Sequence, residues 1–263
     1  MTDMKVALIT GAGSGMGQVA AKRLVARGVK VVGLDLNAQG LEATKGGRPN
    51  FYPVICDVTD EDAVDKVVAD TWRDHGPIDR LLHCAALMPS SILIDHEPKA
   101  VKKLMRVNYD GTVNVAYSVL RRMNERGRGQ AFFFGSVAGW VLSPHFGAYC
   151  ASKAAVNAFV EMLVRENKHP DVHIMLIAPP QVNTPLLDQT TSKPNTLELA
   201  KQQGMLRTPD FIVDQIEAAA DKGTQYLLPG IETKVMAATR RLAPNLLWNV
   251  IQRAEEGKPL FTW

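Results

Sequence analysis

Apolar runs and amphipathic stretches alternate along most of the chain. Lys5 to Thr10 is a short β-branched run that predicts a strand; glycines follow, and the apolar positions from Met16 to Arg27 recur at helical spacing until Gly28. Lys30 to Asp35 is a second apolar strand. Strand, helix and strand within about thirty residues form a βαβ unit, and its strands are apolar throughout because helices cover both faces of a parallel sheet. The alternation then continues: strand Phe51 to Cys56, helix Asp60 to His75, and strand Ile78 to Cys84 after Gly76-Pro77. Helices Pro98 to Tyr109 and Thr112 to Arg126 precede strand Gln130 to Gly135. A long helix from Gly147 to Lys168 leads to strand Val172 to Ile177, which ends at Pro179-Pro180. Beyond Pro185 the pattern loosens into helices near Leu197 to Gln203 and Pro209 to Lys222 and a last strand, Gln225 to Leu228. Seven strands alternating with helices describe an α/β fold, a doubly wound parallel sheet.

Composition narrows the picture. A chain of 263 residues, 46% of them hydrophobic, suits one α/β domain over residues 1–263. Within it, residues 185–222 are expected to form a substrate lid, and residues 232–263 a segment covering the cleft or lying at a subunit interface. A net charge of +3 from 30 basic and 27 acidic residues gives none of the concentrated positive surface a nucleic-acid partner requires. Cys56, Cys84 and Cys150 are odd in number and lack metal-ligand spacing, which points to a reducing, cytoplasmic setting and no structural metal. The apolar run at Val6 to Ile9 is too short for a cleavable signal. Residues 129–152 contain no Asp, Glu, Lys or Arg, yet Gly135, Ser136, Gly139, Ser143, Pro144, His145 and Gly147 interrupt them, so a buried strand and loop fit better than a membrane span.

The turn Thr10-Gly11-Ala12-Gly13-Ser14-Gly15-Met16-Gly17 joins the first strand to the first helix. Glycines let the backbone approach a pyrophosphate, and a helix N-terminus offers free N–H groups. Met16 takes it out of register with G-x-G-x-x-G, so its weight comes from its place between strand and helix. No Gly-Lys-Ser/Thr is present, which disfavours a P-loop nucleotidase. Asp35 closes the second strand, where a carboxylate can accept from both adenosine ribose hydroxyls and would repel a 2′-phosphate. Neither Ala12 nor Leu36 supplies a cation, so the expected cofactor is NAD.

Tyr149 and Lys153 stand four residues apart, one helical turn, thirteen positions after Ser136. A cation beside a phenol favours the phenolate, so Lys153 is expected to lower the Tyr149 pKa. A Tyr and a Lys one turn apart also occur on plain exposed helices. The rest of the chain shifts the balance towards chemistry.

In combination these residues resemble the short-chain dehydrogenase/reductase family, from about Lys5 to Pro185. Thr10 to Gly17 matches the family's Thr-Gly-x-x-x-Gly-x-Gly turn, Asp57-Val58 its adenine-binding pair, and Asn108-Tyr-Asp-Gly111 its Asn-x-x-Gly segment. Ser136, Tyr149 and Lys153 fall on its catalytic Ser, Tyr and Lys. The resemblance implies a Rossmann fold and hydride transfer to or from NAD. In it Tyr149 exchanges the proton, Lys153 holds the nicotinamide ribose, Ser136 binds the substrate oxygen, and Asn108 anchors a water relay. It implies cofactor contacts from Gly11, Ser14, Gly15, Met16, Gly17, Asp35, Leu36, Asp57, Val58, Ala85, Tyr149, Lys153, Pro179, Val182 and Thr184. Homodimers or homotetramers, built through the helices holding Thr112 to Arg126 and Gly147 to Lys168, are likewise an implication of the resemblance.

Two segments depart from the family pattern. His83-Cys84-Ala85-Ala86 stands where Asn-Asn-Ala-Gly is usual, which requires different bracing of the central strands and a negative φ at Ala86. Pro179-Pro180 stands for Pro-Gly and stiffens the wall beside the nicotinamide. Met88, Val137, Trp140, Leu142, Phe146, Pro180, Leu186 and Leu187 match positions lining the cleft in relatives, with Ser136 and His145 as polar contacts. This wall suits a hydrophobic secondary alcohol or ketone, cyclic and steroid-like ones included. A thiol mechanism through Cys84 or Cys150 has no partner histidine in a recognisable motif. Arg121, Arg122, Arg126 and Arg128 read as a solvated helix end rather than a carrier-protein patch, and Pro244 interrupts any membrane-surface helix over Lys234 to Glu255. The alternatives are a 3-oxoacyl-thioester reductase and a non-catalytic NAD-binding scaffold.

Overall fold

A computed structural model describes residues 4–192 and 194–258. The apolar runs form β1 (Val6–Thr10), β2 (Lys30–Asp35), β3 (Phe51–Ile55), β4 (Arg80–His83), β5 (Gly129–Phe134), β6 (Val172–Ile177) and the short β7 (Tyr226–Leu227). They pair in parallel in the order β3-β2-β1-β4-β5-β6-β7. All five residues of β1 are buried, as a central strand covered on both faces requires. Chain order reverses between β1 and β4, and ligands bind such sheets in the crevice beyond the strand ends at that switch.

Helices α1 (Gly15–Ala26), α2 (Ala38–Lys45) and α8 (Pro209–Asp221) cover one face, packing Leu24, Leu41 and Ile212 against Ile9, Val31 and Met175. Helices α3 (Glu61–Asp74), α5 (Gly111–Arg126) and α6 (Gly147–Glu166) cover the other with Val68, Val119 and Val160. Each fully buried aliphatic side chain contributes roughly 1.5–3 kcal/mol, so the two layers supply most of the stabilisation.

The structure departs from the sequence pattern in four places. Helix α2 was not foreseen, because its eight residues present only Leu41 and Thr44 to the interior; Asn37 Oδ1 caps it by accepting from Gly40 N at 3.0 Å. The expected break before Thr112 is absent: α4 (Pro98–Met105) passes through a π turn, Arg106–Asp110, into α5. Helix α8 falls within the expected 185–222 lid by position, but it packs on the sheet instead. Arg23 pairs with its Asp210 and Asp214, and the buried Arg80 pairs with its Glu217 at 2.6 Å, which dock it on the body. The rest of that stretch forms the 3-10 turn Pro185–Gln189 and α7 (Asn195–Gln202). Lastly, the C-terminal segment is a helical hairpin, α9 (Ile231–Leu242) and α10 (Pro244–Glu255), in which Pro244 opens the second helix. Residues 259–263 of the expected 232–263 segment lie outside the described residues. Among the described residues no helix is long and apolar enough to cross a membrane.

Candidate active site

The glycine-rich turn lies directly beyond β1. Gly11 adopts φ +66°, and a Cβ there would sit 2.9 Å from Ala85 N, so the loop leaving β4 passes against the turn. Gly15 adopts φ +52° and faces the Thr184 methyl, bringing the segment after β6 to the other side. Below the turn, the Thr44 hydroxyl donates to Ala12 O (2.8 Å) and Gln18 Nε2 to Gly13 O (3.1 Å). The N–H groups of Gly15, Met16 and Gly17 precede Gln18 N, which bonds Ser14 O, and so belong to the free first turn of α1. The Ser14 side chain makes no capping bond of its own. This cradle fits a pyrophosphate.

Asp35 Oδ2 accepts from Gly13 N and Oδ1 from Asn37 N, both at 2.9 Å, so the carboxylate fixes the turn. Leu36 is exposed beside it. Asp57 is exposed and accepts from Thr59 N, while Val58 packs on Gly111 and its carbonyl accepts from Asn114.

Ser136 follows β5, and its Oγ accepts from Ala138 N (3.1 Å). Tyr149 and Lys153 lie in the first two turns of α6, both buried, with Lys153 Nζ donating to Phe134 O (2.8 Å) and standing 5.9 Å from the Tyr149 ring centroid. Asn108, in the π turn, accepts from Leu87 N (2.8 Å) and donates to Leu87 O and Ser152 Oγ. The four expected catalytic residues thus converge beyond β4 and β5.

The electrostatics correct one expectation. Burial pushes the Tyr149 phenol up to about 12; the Ser136 hydroxyl pulls it down by less. Lys153 is not among the groups that lower it: its Nζ, brought down to about 8 by burial, stands 5.9 Å from the ring centroid and donates to Phe134 O. Burial also raises the thiols of Cys84 and Cys150, so neither is poised as a thiolate.

Met88, Phe146 and Leu187 form one buried cluster with Tyr149, Leu104 and Leu197, with Leu186 packed against it. Trp140 is not part of it. That ring packs against the core between the sheet and α6, while its carbonyl accepts from Arg240. His145 has φ +65° and lies 3.4 Å from Glu255 through Nε2, while its carbonyl accepts from Ser91 N. Pro179 O accepts from Val137 N, Pro180 is half-buried, and Val182 is buried in the sheet's α1/α8 layer. Ala86 keeps a negative φ, since His145 is the one non-glycine at positive φ among the described residues.

Three supporting groups escaped sequence reasoning. Asn157, one turn beyond Lys153, accepts from Ser136 N (3.2 Å) and donates to Ser136 O (2.9 Å). Thr10 Oγ1 accepts from the N–H groups of Cys84 and Ala85. His83 bridges Thr10 and Thr112. The i, i+4 step from Lys153 to Asn157 was a usable signal; His83 had only its departure from the family pattern.

Residues 5–195 match the family model described as short chain dehydrogenase. The chain belongs to the short-chain dehydrogenase family. It is an oxidoreductase of that family, whose members depend on NAD or NADP. The short-chain reductase protein NovJ of Streptomyces niveus is 30% identical over 241 residues, 86% of this chain and 91% of that protein. Dehydrogenase/reductase SDR family member 7B of Rattus norvegicus is 28% identical over 260 residues, 94% and 80% of the two chains. Among solved structures, a short-chain dehydrogenase from Streptomyces avermitilis superposes with a TM-score of 0.81 at 23% identity, covering 98% of this chain and 100% of that one. A family member from Burkholderia phymatum, crystallised in complex with NAD, gives 0.76 at 21% identity, covering 99% and 98%. These two share the fold.

Proposed function

We propose that this enzyme transfers a hydride between NAD and a hydrophobic secondary alcohol or ketone. The observation that carries the reading is the burial of Ser136, Tyr149 and Lys153 together, with Tyr149 a member of the apolar cluster that also holds Met88, Phe146, Leu187 and Leu197. The cofactor supplies the hydride acceptor or donor. Ser136 Oγ holds the substrate oxygen, and Tyr149 gives or takes the proton at that oxygen. A phenol held at about 12 is protonated near neutrality and ready to donate to a ketone oxygen. Asn108 and Lys153 form the proton path behind it. Positioned proton transfer of this kind contributes roughly 10²–10⁴-fold in rate.

NAD is favoured over NADP because the Asp35 carboxylate closes β2 with Leu36 and Asn37 after it, leaving no adjoining cation for a 2′-phosphate. The relative crystallised with NAD is in keeping with this. Residues 185–206 and the α9–α10 hairpin act as the cover of the cleft. The exposed Tyr117 and Met162, on α5 and α6, suit the face through which homodimers or tetramers would form. The three free cysteines suit a reducing, cytoplasmic compartment.

The test follows NADH absorbance with a panel of lipophilic secondary alcohols and ketones, polyols and a 3-oxoacyl thioester, each with both cofactors. Turnover of the lipophilic members with NAD, lost in Tyr149→Phe while NAD binding persists, is the expected result. Faster polyol turnover, or NAD binding without turnover across the panel, rejects the reading.

A further inference from the structure

Five buried side chains form one hydrogen-bonded file beneath the active site. The Cys84 and Ala85 N–H groups donate to Thr10 Oγ1, each at 3.1 Å. Thr10 Oγ1 lies 2.8 Å from His83 Nδ1, His83 Nε2 lies 3.1 Å from Thr112 Oγ1, and the Thr112 hydroxyl donates to Asn108 O at 2.6 Å. The Asn108 amide donates to Ser152 Oγ (2.9 Å), whose hydroxyl donates to Tyr149 O (2.8 Å). None of these five side chains is more than 1% exposed, so water replaces no link.

Both ends of the file fix its sense. Thr10 Oγ1 receives two backbone N–H groups, so its own hydrogen points to His83 Nδ1. Asn108 O can only accept, so the Thr112 hydrogen points there and the Thr112 oxygen accepts from His83 Nε2. The imidazole must therefore be the neutral Nε2–H tautomer. Burial and the neighbouring Lys153 ammonium act in the same direction, against a second proton.

We propose that His83 is a positioning residue that fixes the Asn108 carbonyl, and with it the π turn Arg106–Asp110, between the root of the phosphate-binding turn and the Tyr149–Lys153 helix. Its effect on turnover rests on the hydride-transfer reading above. An apolar ring at position 83 fills the space but leaves the Thr10 hydroxyl without its acceptor and Thr112 without its donor. An amide of similar reach supplies an acceptor on one side and a donor on the other.

His83→Phe, His83→Gln and Thr112→Val, each in the full chain, test this with one substrate-dependent and one substrate-free measurement. With the best substrate of the panel, His83→Phe and Thr112→Val should each lower kcat about tenfold or more and move the pH profile of kcat, with KM for NAD held within about twofold. His83→Gln should recover most of the loss. Without substrate, hydrogen–deuterium exchange of residues 106–112 should be about tenfold faster in the first two variants and restored by Gln. Unchanged kcat and pH profile in folded His83→Phe, or Gln no better than Phe, overturns the proposal. Should His83→Phe not fold, Thr112→Val decides by the same outcomes. If the wild type turns over no member of the panel, the hydride reading falls while the exchange measurement still decides whether His83 holds the π turn.

Discussion

Asn157→Leu should cost both stability and turnover, through Ser136. The Asn157 amide is 1% exposed and satisfies both backbone groups of Ser136, accepting from its N–H at 3.2 Å and donating to its carbonyl at 2.9 Å. Leucine has nearly the same shape, with methyl groups where Oδ1 and Nδ2 were. The Ser136 N–H loses its partner at about 1–3 kcal/mol, while the carbonyl, which also accepts from Gly139 N at 3.1 Å, gives up one of two bonds at about 0.5–1.5 kcal/mol. Burial of the two methyls returns roughly 1–2 kcal/mol, leaving a net loss of about 1–2 kcal/mol at mid-range values. The methyl carbons also need about 3.5 Å where the amide needed less. Gly135 and Gly139 already close on this side chain so tightly that a Cβ at either would overlap its amide atoms. The relief falls on Ser136, and a shift of a few tenths of an ångström there should lower kcat roughly 10–100-fold. Urea unfolding followed by tryptophan fluorescence measures the first effect, and steady-state NADH formation by the folded variant the second. A loss below about 1 kcal/mol with kcat unchanged refutes the reasoning, since the amide would then be neither bracing Ser136 nor filling its partners' needs.

Asp35→Ser should raise the NADP/NAD ratio of kcat/KM about tenfold or more by removing the carboxylate that opposes a 2′-phosphate; an unchanged ratio counts against Asp35 as the selector. Glu255 accepts from Asn195 N, Thr196 N and the Thr196 hydroxyl at the start of α7, so Glu255→Ala should raise substrate KM about three- to tenfold with kcat nearly constant. Equal KM values would mean that α7 is held elsewhere. Stability should fall with acid through His83, whose pKa goes from 6.5 to about 3 on folding because of burial. The unfolded chain binds the extra proton in that window, so the contribution is whole above pH 6.5 and is lost as pH drops towards 3. Its upper bound is roughly 5 kcal/mol, and a His83→Gln variant with the same acid slope in pH-dependent unfolding would remove His83 as the cause.

Much of this was legible in the chain because strand periods and a glycine turn are local signals. β1, the turn, Asp35 and the Ser136, Tyr149 and Lys153 set are each written within a few residues. What the sequence hid depends on distance. Helix α2 offered too few apolar positions, yet its Thr44 holds Ala12 O from 32 residues away. The Asn108 π turn and its His83 and Thr112 partners are joined only once β1, β4 and α5 pack together. The Tyr149 pKa went against expectation because proximity to Lys153 reads from spacing, while burial of both groups does not.

The parallel sheet also separates what this enzyme can afford to change. The expected catalytic residues lie at strand ends and in the first turns of α6, where Asn157 braces Ser136, Phe134 O holds Lys153, and Leu87 and Ser152 hold Asn108. The cover is tethered more sparingly, with Gln189 reaching Met88 N, Ser90 meeting Ser192, and Glu255 meeting α7. On the proposed reading, exchanging residues 185–206 or the terminal hairpin would alter the substrate wall while leaving Ser136, Tyr149 and Lys153 in their places.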